Sequence, residues 1–293
     1  MRARRDILTI DVEEWFHGHN YLPHVPPERW DAQESRVVAN TRHCLDLLAK
    51  YDVRATFFVL GWVAARQPDL VGRILAAGHE VGCHSHAHPV VYELTEGDFL
   101  ADLKQGLAAL TAAGVTSCRL YRAPSFSLTR QVHQFLPLLA DHGIDIDSSV
   151  FPIHHPRYGQ PRAARHPYRQ QLPRQLELVR VPMTTVRCGS VNLPFSGGGY
   201  LRLLPLALYR RLAEMAHRQG VPVMIYLHPW ELDSFRPEVG MSRLDRLRSQ
   251  GGQNRMPAKL EEILADGRFQ TLGEYVGTRR AADDLPCRTW PPT

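Results

Sequence analysis

Short apolar runs alternate with longer stretches of helical period along most of the chain. DILTID (6–11), RATFFVLG (54–61), HEVGCHS (79–85), SCRLYRAP (117–124), IDIDSS (144–149), LELVRVPM (176–183) and VPVMIYLHPW (221–230) read as strands. Between them, residues 35–51, 68–78, 96–114, 131–143 and 205–220 carry apolar positions three and four apart, the spacing of an amphipathic helix. Ser35 is a suitable N-cap for the first of these helices, and Gly78 and Gly114 stop the second and third. The strands are continuously apolar, not alternating, which marks them as buried on both faces in parallel βαβ units. Seven or eight such units predict an α/β barrel, closed or incomplete.

The rhythm breaks at 152–175, PIHHPRYGQPRAARHPYRQQLPRQ, where proline, arginine and histidine predict a long loop. Residues 234–256 are polar and contain glycine, and a last helix is predicted at 257–267. The chain therefore reads as one catalytic domain over residues 1–293, with 234–293 as a C-terminal extension packed on it.

The unusual polar residues fall at strand ends. The first strand runs into Asp11, Glu13 and Glu14, the third into HSHAH (84–88), the fourth into YRAPS (121–125) and the last into YLHPWELD (226–233). In a barrel the C-terminal strand ends gather at one face, where active sites form. Three acids within four positions repel one another and call for a cation. His84 and His88 are four apart, so one helical turn would put both imidazoles on one face, with His86 turned away. Two imidazoles and a carboxylate form a three-ligand site with open positions. Strand alternation places Asp11 and Glu13 on the same side, with Val12 and Glu14 on the other; Glu14 stays open as the alternative carboxylate. Arg122 is placed to pair with Asp11 and fix its orientation, and His228 ends the late strand facing the same site.

Composition narrows the partners. The 293 residues are 44% hydrophobic and 22% charged, with a formal net charge of +5. The arginines are scattered, which argues against a nucleic-acid surface. Five cysteines, an odd number with no CxxC pair, argue against a disulfide framework and a structural zinc knuckle. No apolar run reaches the length of a membrane span, and the basic start MRARR is followed at once by acids. A cytoplasmic location is the expectation.

The motifs TIDVEE, HSHAH, RAPS and YLHPWE, in that order, resemble the polysaccharide deacetylase family, the NodB-homology carbohydrate esterases. GHEVGCHSHAH, YRAPSFS, DSSVFP, PFSGGGYLRLLP and YLHPWELD look like the branch associated with bacterial exopolysaccharide and exosortase loci. The resemblance implies a distorted (β/α)7 barrel and a hydrolase that removes N-acetyl groups from amino sugars in an exopolysaccharide or its precursor. It implies Asp11 as general base, Glu13, His84 and His88 as metal ligands, Arg122 as partner of the base and His228 as general acid. Val12 stands where the family usually has a second aspartate, and Ser125 where it has tyrosine, with the Ser125 N–H left to serve the oxyanion. Gly198, Gly199, Tyr200, Leu227 and Trp230 are expected at the substrate. The family's aspartate supporting the acid is not evident; Asp147 is a candidate. One divalent ion is expected, zinc first, with Co, Ni, Mn or Fe as alternatives. The substrate expected is an N-acetylated glycan or its lipid-linked precursor, met by Arg157, Arg162 and Arg165 of the basic loop. Two rivals stand beside this: hydrolysis of another amide, such as a formamide or ureide, on the same fold, and a non-haem iron oxygenase that uses the two histidines and a carboxylate and has no need of Arg122 or His228.

Overall fold

The computed structural model describes residues 5–290; residues 1–4 of the basic start and residues 291–293 lie outside the described residues. The strands are β1 (Asp6–Val12), β2 (Thr56–Val59), β3 (Glu80–Cys83), β4 (Leu120–Tyr121), β5 (Ile146–Asp147), β6 (Tyr168–Gln171), β7 (Glu177–Arg180), β8 (Thr185–Cys188), β9 (Val191–Pro194), β10 (Met224–Leu227), β11 (Phe269–Gln270) and β12 (Cys287–Arg288). Seven of them run parallel in the order β10-β1-β2-β3-β4-β5-β7. This is a distorted (β/α)7 barrel. β6 continues it antiparallel to β7, so the predicted loop at 152–175 contains one strand. β8 and β9 form a separate hairpin. From the C-terminal residues, β11 pairs with β1 and β12 with β6.

The helices are α1 (Val37–Lys50), α2 (Gly61–Arg66), α3 (Pro68–Ala76), α4 (Glu96–Ala112), α5 (Leu136–Asp141), α6 (Gly198–Leu203), α7 (Leu206–Arg218), α8 (Arg243–Gln250), α9 (Met256–Asp266) and α10 (Leu272–Ala281). Their apolar stripes bury Leu47, Leu48, Val71, Ile74, Leu103 and Leu110 against the strands. Continuous apolar runs suit this arrangement because both faces of a parallel strand are covered. Ile7, Leu8, Ile10 and Val12 of β1 are all buried. No described helix is long and apolar enough to cross a membrane.

The barrel is not closed by a strand ladder. Between β7 and β10 the gap is spanned by Thr184 and, further along, by Ser196 and Gly197, whose backbone bridges Tyr226. The Thr184 hydroxyl donates to the Pro222 carbonyl at 2.8 Å and accepts from the Met224 N–H at 2.7 Å.

Register aligns the strand ends. Ile10 pairs with Leu227, and Asp11 with Phe58. The C-terminal ends of β1, β3, β4 and β10 therefore deliver Asp11 and Glu13, His84, Arg122 and His228 to the same face.

Candidate active site

Asp11 sits at the end of β1 with 2% of its surface exposed, and Arg122, directly after β4, is fully buried. Arg122 Nη1 donates to Asp11 Oδ1 at 2.8 Å and to Thr9 Oγ1 at 2.8 Å, and Nη2 donates to Ser148 Oγ at 3.0 Å. Its guanidinium lies 4.3 Å from the centre of the Phe58 ring. A buried cation with this many partners has one orientation available, and it fixes one oxygen of Asp11.

Glu13 shares the side of Asp11, as alternation requires, while Val12 enters the core. Glu14 turns the other way and is excluded as a ligand. Its carboxylate accepts from Ser35 Oγ at 2.5 Å and from the backbone N–H groups of Arg36 and Val37 at 3.0 and 3.2 Å. The expected N-cap Ser35 thus gives way to Glu14, a distant carboxylate that satisfies the free amides at the start of α1.

His84 and His88 meet Glu13, but not through a helical turn. Ser85 and His88 have φ of 67° and 54°, and the segment is a loop. The Asp102 carboxylate of α4 holds it by accepting from the N–H groups of His86 and Ala87, both at 2.9 Å. Pro89 disfavours the helical conformation at residue 88, so a helical turn cannot run on through it. His86 does turn away from the ligand group, with its ring against Gly61.

One ligand atom from each of Glu13, His84 and His88 lies within 4.8 Å of the others. Glu13 Oε2 is 2.8 Å from His88 Nε2, and Glu13 Oε1 accepts from the Trp230 indole at 3.3 Å. His84 Nδ1 is 2.8 Å from the Arg122 carbonyl, which can only accept. The proton therefore sits on Nδ1 and the Nε2 lone pair is left for a cation. Burial lowers the His84 pKa to about 4, which keeps the ring neutral, the form that ligates. For Glu13, burial alone would favour the neutral acid; His88, His228 and His84 outweigh it and hold the carboxyl well below the usual range. These residues fit a divalent cation.

His228, partly exposed at the end of β10, faces the same group, with Nε2 3.7 Å from Glu13 Oε1. Its ring stacks on Trp230 at 5.0 Å between centroids. Its Nδ1 lies 3.1 Å from Glu231 Oε2, and Glu231 Oε1 pairs with Arg202 Nε at 2.6 Å. Burial alone would lower the His228 pKa; Glu13, Glu231 and Asp11 raise it to about 9. Asp147 does not support His228. It accepts from Arg180 Nε at 2.8 Å and from Ser149 Oγ at 2.5 Å, and Ser149 in turn accepts from the Ala123 N–H at 2.8 Å. Asp147 thus braces the RAPS turn. Glu231, not the expected aspartate, is the support of His228. The signal was present: an acid three residues after a strand-end histidine, across one turn.

A pocket of about 170 Å³ opens on these groups. Asp11, Glu13, His84, His88, Ser125, Gly198, Gly199, His228 and Trp230 all line it. Ser125 has φ of 51° at the pocket wall. Leu227 is fully buried in the core instead, and Tyr200 packs edge-on against Phe151. The glycines of SGGGY make room first for protein, not for sugar. A Cβ on Gly197 would lie 2.0 Å from the Tyr226 ring, and Gly198 has φ of 52° beside the Tyr226 hydroxyl. Gly197→Ala must displace Tyr226, a pocket wall. We expect it to cost about 1–3 kcal/mol of stability, read as a lowered urea midpoint; an unchanged midpoint would show that the turn relaxes freely.

Residues 30–145 match the family described as polysaccharide deacetylase, and residues 148–277 match a domain of unknown function, DUF3473. The chain is 36% identical over 110 residues to a chitin deacetylase from Colletotrichum lindemuthianum, a match covering 36% of this chain and 44% of that protein. It is 49% identical over 49 residues to a chitooligosaccharide deacetylase from a Bradyrhizobium strain, covering 17% of this chain and 22% of that protein. The chain spans less than half the length of these curated relatives. A Mycobacterium smegmatis crystal structure assigned to the polysaccharide deacetylases superposes with a TM-score of 0.66 at 20% identity, covering 100% of this chain and 96% of that one.

Proposed function

Because the chain belongs to the polysaccharide deacetylase family, we propose that it hydrolyses N-acetyl groups on amino sugars of a glycan, releasing acetate and a free amine. The observation that carries this is the juxtaposition of Asp11, locked by Arg122, with the Glu13–His84–His88 group and with His228 across from it. Chitin and chitooligosaccharide deacetylases among the relatives support the substrate class. We propose zinc as the ion, since two imidazoles and one carboxylate with open positions suit it. An exopolysaccharide or its lipid-linked precursor is the proposed polymer, on the resemblance of the motifs alone.

Glu13, His84 and His88 would hold the cation, which when bound polarises the acetamide carbonyl and acidifies a water. Asp11 accepts the proton of the attacking water. Arg122 is a positioning residue: it leaves Asp11 one free oxygen to take that proton. The Ser125 N–H, at the pocket wall, donates to the oxygen that becomes negative. His228, with its Nδ1 proton on Glu231, directs Nε2 inward and protonates the departing nitrogen. The test is acetate release from a panel of N-acetylated chito-oligosaccharides and peptidoglycan fragments, with and without chelator. Oxygen uptake or formate release in place of acetate would sink the reading.

The acid must be protonated to act, so a raised pKa extends activity to higher pH. A cation on Glu13 removes much of that residue's pull on His228 and leaves Glu231 as its main support. Glu231→Gln is therefore expected to move the alkaline limb of the pH–rate profile down by about one to two units. A limb that stays in place would exclude Glu231 from this role.

A further inference from the structure

Beside the pocket that holds Asp11 lies a larger cleft of about 570 Å³, a size usual for ligand sites. The two share Arg157 and Tyr158 on their walls, so they adjoin. Five arginines line the cleft, Arg130, Arg157, Arg162, Arg180 and Arg288, and among the described residues no aspartate or glutamate does. Of the 21 ion pairs formed within the described residues, none involves Arg130, Arg157, Arg162 or Arg288. Arg165 of the basic loop does not join them; it is committed to Thr185 and Gln219.

Arg180 is the sharper observation. It is 96% buried by its 4% exposure, its Nε is used by Asp147, and its Nη2 makes no hydrogen bond. A buried guanidinium N–H left unpaired is costly, and an anion in the cleft would meet it. A recess lined by one sign of charge concentrates the opposite sign. The planar fork of arginine matches carboxylate and phosphate oxygens.

We propose that this cleft binds an anionic group, carboxylate or phosphate, carried by the glycan at least one residue away from the acetamide being hydrolysed. The proposal rests on the deacetylase reading for its substrate, and it selects acidic N-acetylated glycans over neutral ones. Through Asp147 and Ser149, Arg180 also connects to the backbone of Ala123 in the RAPS turn.

The test uses the full chain and two probes that lack an acetamide: trigalacturonate, which carries only carboxylates, and inorganic pyrophosphate. Binding of each is measured by calorimetry at low and high salt. At least one is expected to bind, more weakly as salt rises, and which one binds identifies the anionic group. Arg130→Ala combined with Arg288→Ala removes two exposed charges and should weaken that binding at least about tenfold. The same variant should release acetate from neutral chitotetraose at the parent rate. Binding of neither probe, or equal binding by the variant, overturns the cleft assignment while activity on the neutral substrate stands. Absence of acetate release by the parent protein, with probe binding intact, would instead overturn the deacetylase reading.

Discussion

Asp11→Asn is expected to lower turnover about 10²–10⁴-fold, the range for loss of a general base, and to leave metal content unchanged. The substitution keeps shape and one oxygen, so the Arg122 contact at 2.8 Å can persist. It removes the basic oxygen that takes a proton from water. Asp11 is not a member of the group formed by Glu13, His84 and His88, so a ligand is not lost. Metal analysis beside acetate-release kinetics separates the two functions. Near-parent turnover would show that the base lies elsewhere. Loss of metal with turnover would show that Asp11 is itself a ligand.

Glu13→Gln is expected to lose both the ion and activity. The carboxylate is the one anionic ligand of the group, and it is 2% exposed between His88 and Trp230. A neutral amide there offers a weaker donor and no charge to offset the cation. The fall in metal affinity should exceed the roughly 10–100-fold typical of changes to outer-shell partners. His84→Ala should match it. Glu14→Gln is the control that makes the result specific. It should retain metal and lower stability by about 1–2 kcal/mol, because Glu14 serves the first amides of α1. Competition with a chromogenic chelator reads the affinity, and urea unfolding reads the stability. If Glu14→Gln stripped the metal and Glu13→Gln did not, the strand-alternation assignment would be wrong.

Most of this site was legible because it is written in strand ends. Continuous apolar runs fixed the parallel layout, and that layout carries Asp11, Glu13, His84, Arg122 and His228 to one face without further information. What escaped reading depends on contacts distant in sequence or on local backbone detail. The loop that ends in left-handed His88 is held by Asp102, which is 14 residues away. Glu14 caps a helix that begins 23 residues later. The closeness of Gly197 to Tyr226 exists only once β10 is in place. Arg180 and Arg288 join the basic loop only through β6, β7 and β12, short strands whose pairing no pattern announced. In the same way Arg165 was drawn off by Thr185 and Gln219.

The Thr184 closure makes the barrel wall asymmetric in how it can move. β1 is held by ladders to both β10 and β2, so shifting it breaks many backbone bonds together. At the seam the links to β10 are fewer, the two Thr184 bonds and the Tyr226 N–H donated to the Ser196 carbonyl, at a net cost of about 1 kcal/mol per hydrogen bond broken. Breathing of the barrel should therefore concentrate there, as a hinge built into an otherwise rigid wall. That hinge adjoins Met183 and Met224, whose sulfurs lie 3.8 and 3.6 Å from Arg122 Nη2. The soft thioethers can follow movement of the seam while the guanidinium stays held by Asp11, Thr9 and Ser148. Motion at the seam should therefore be damped before it reaches Asp11, so the wall can yield while Asp11 keeps its aim.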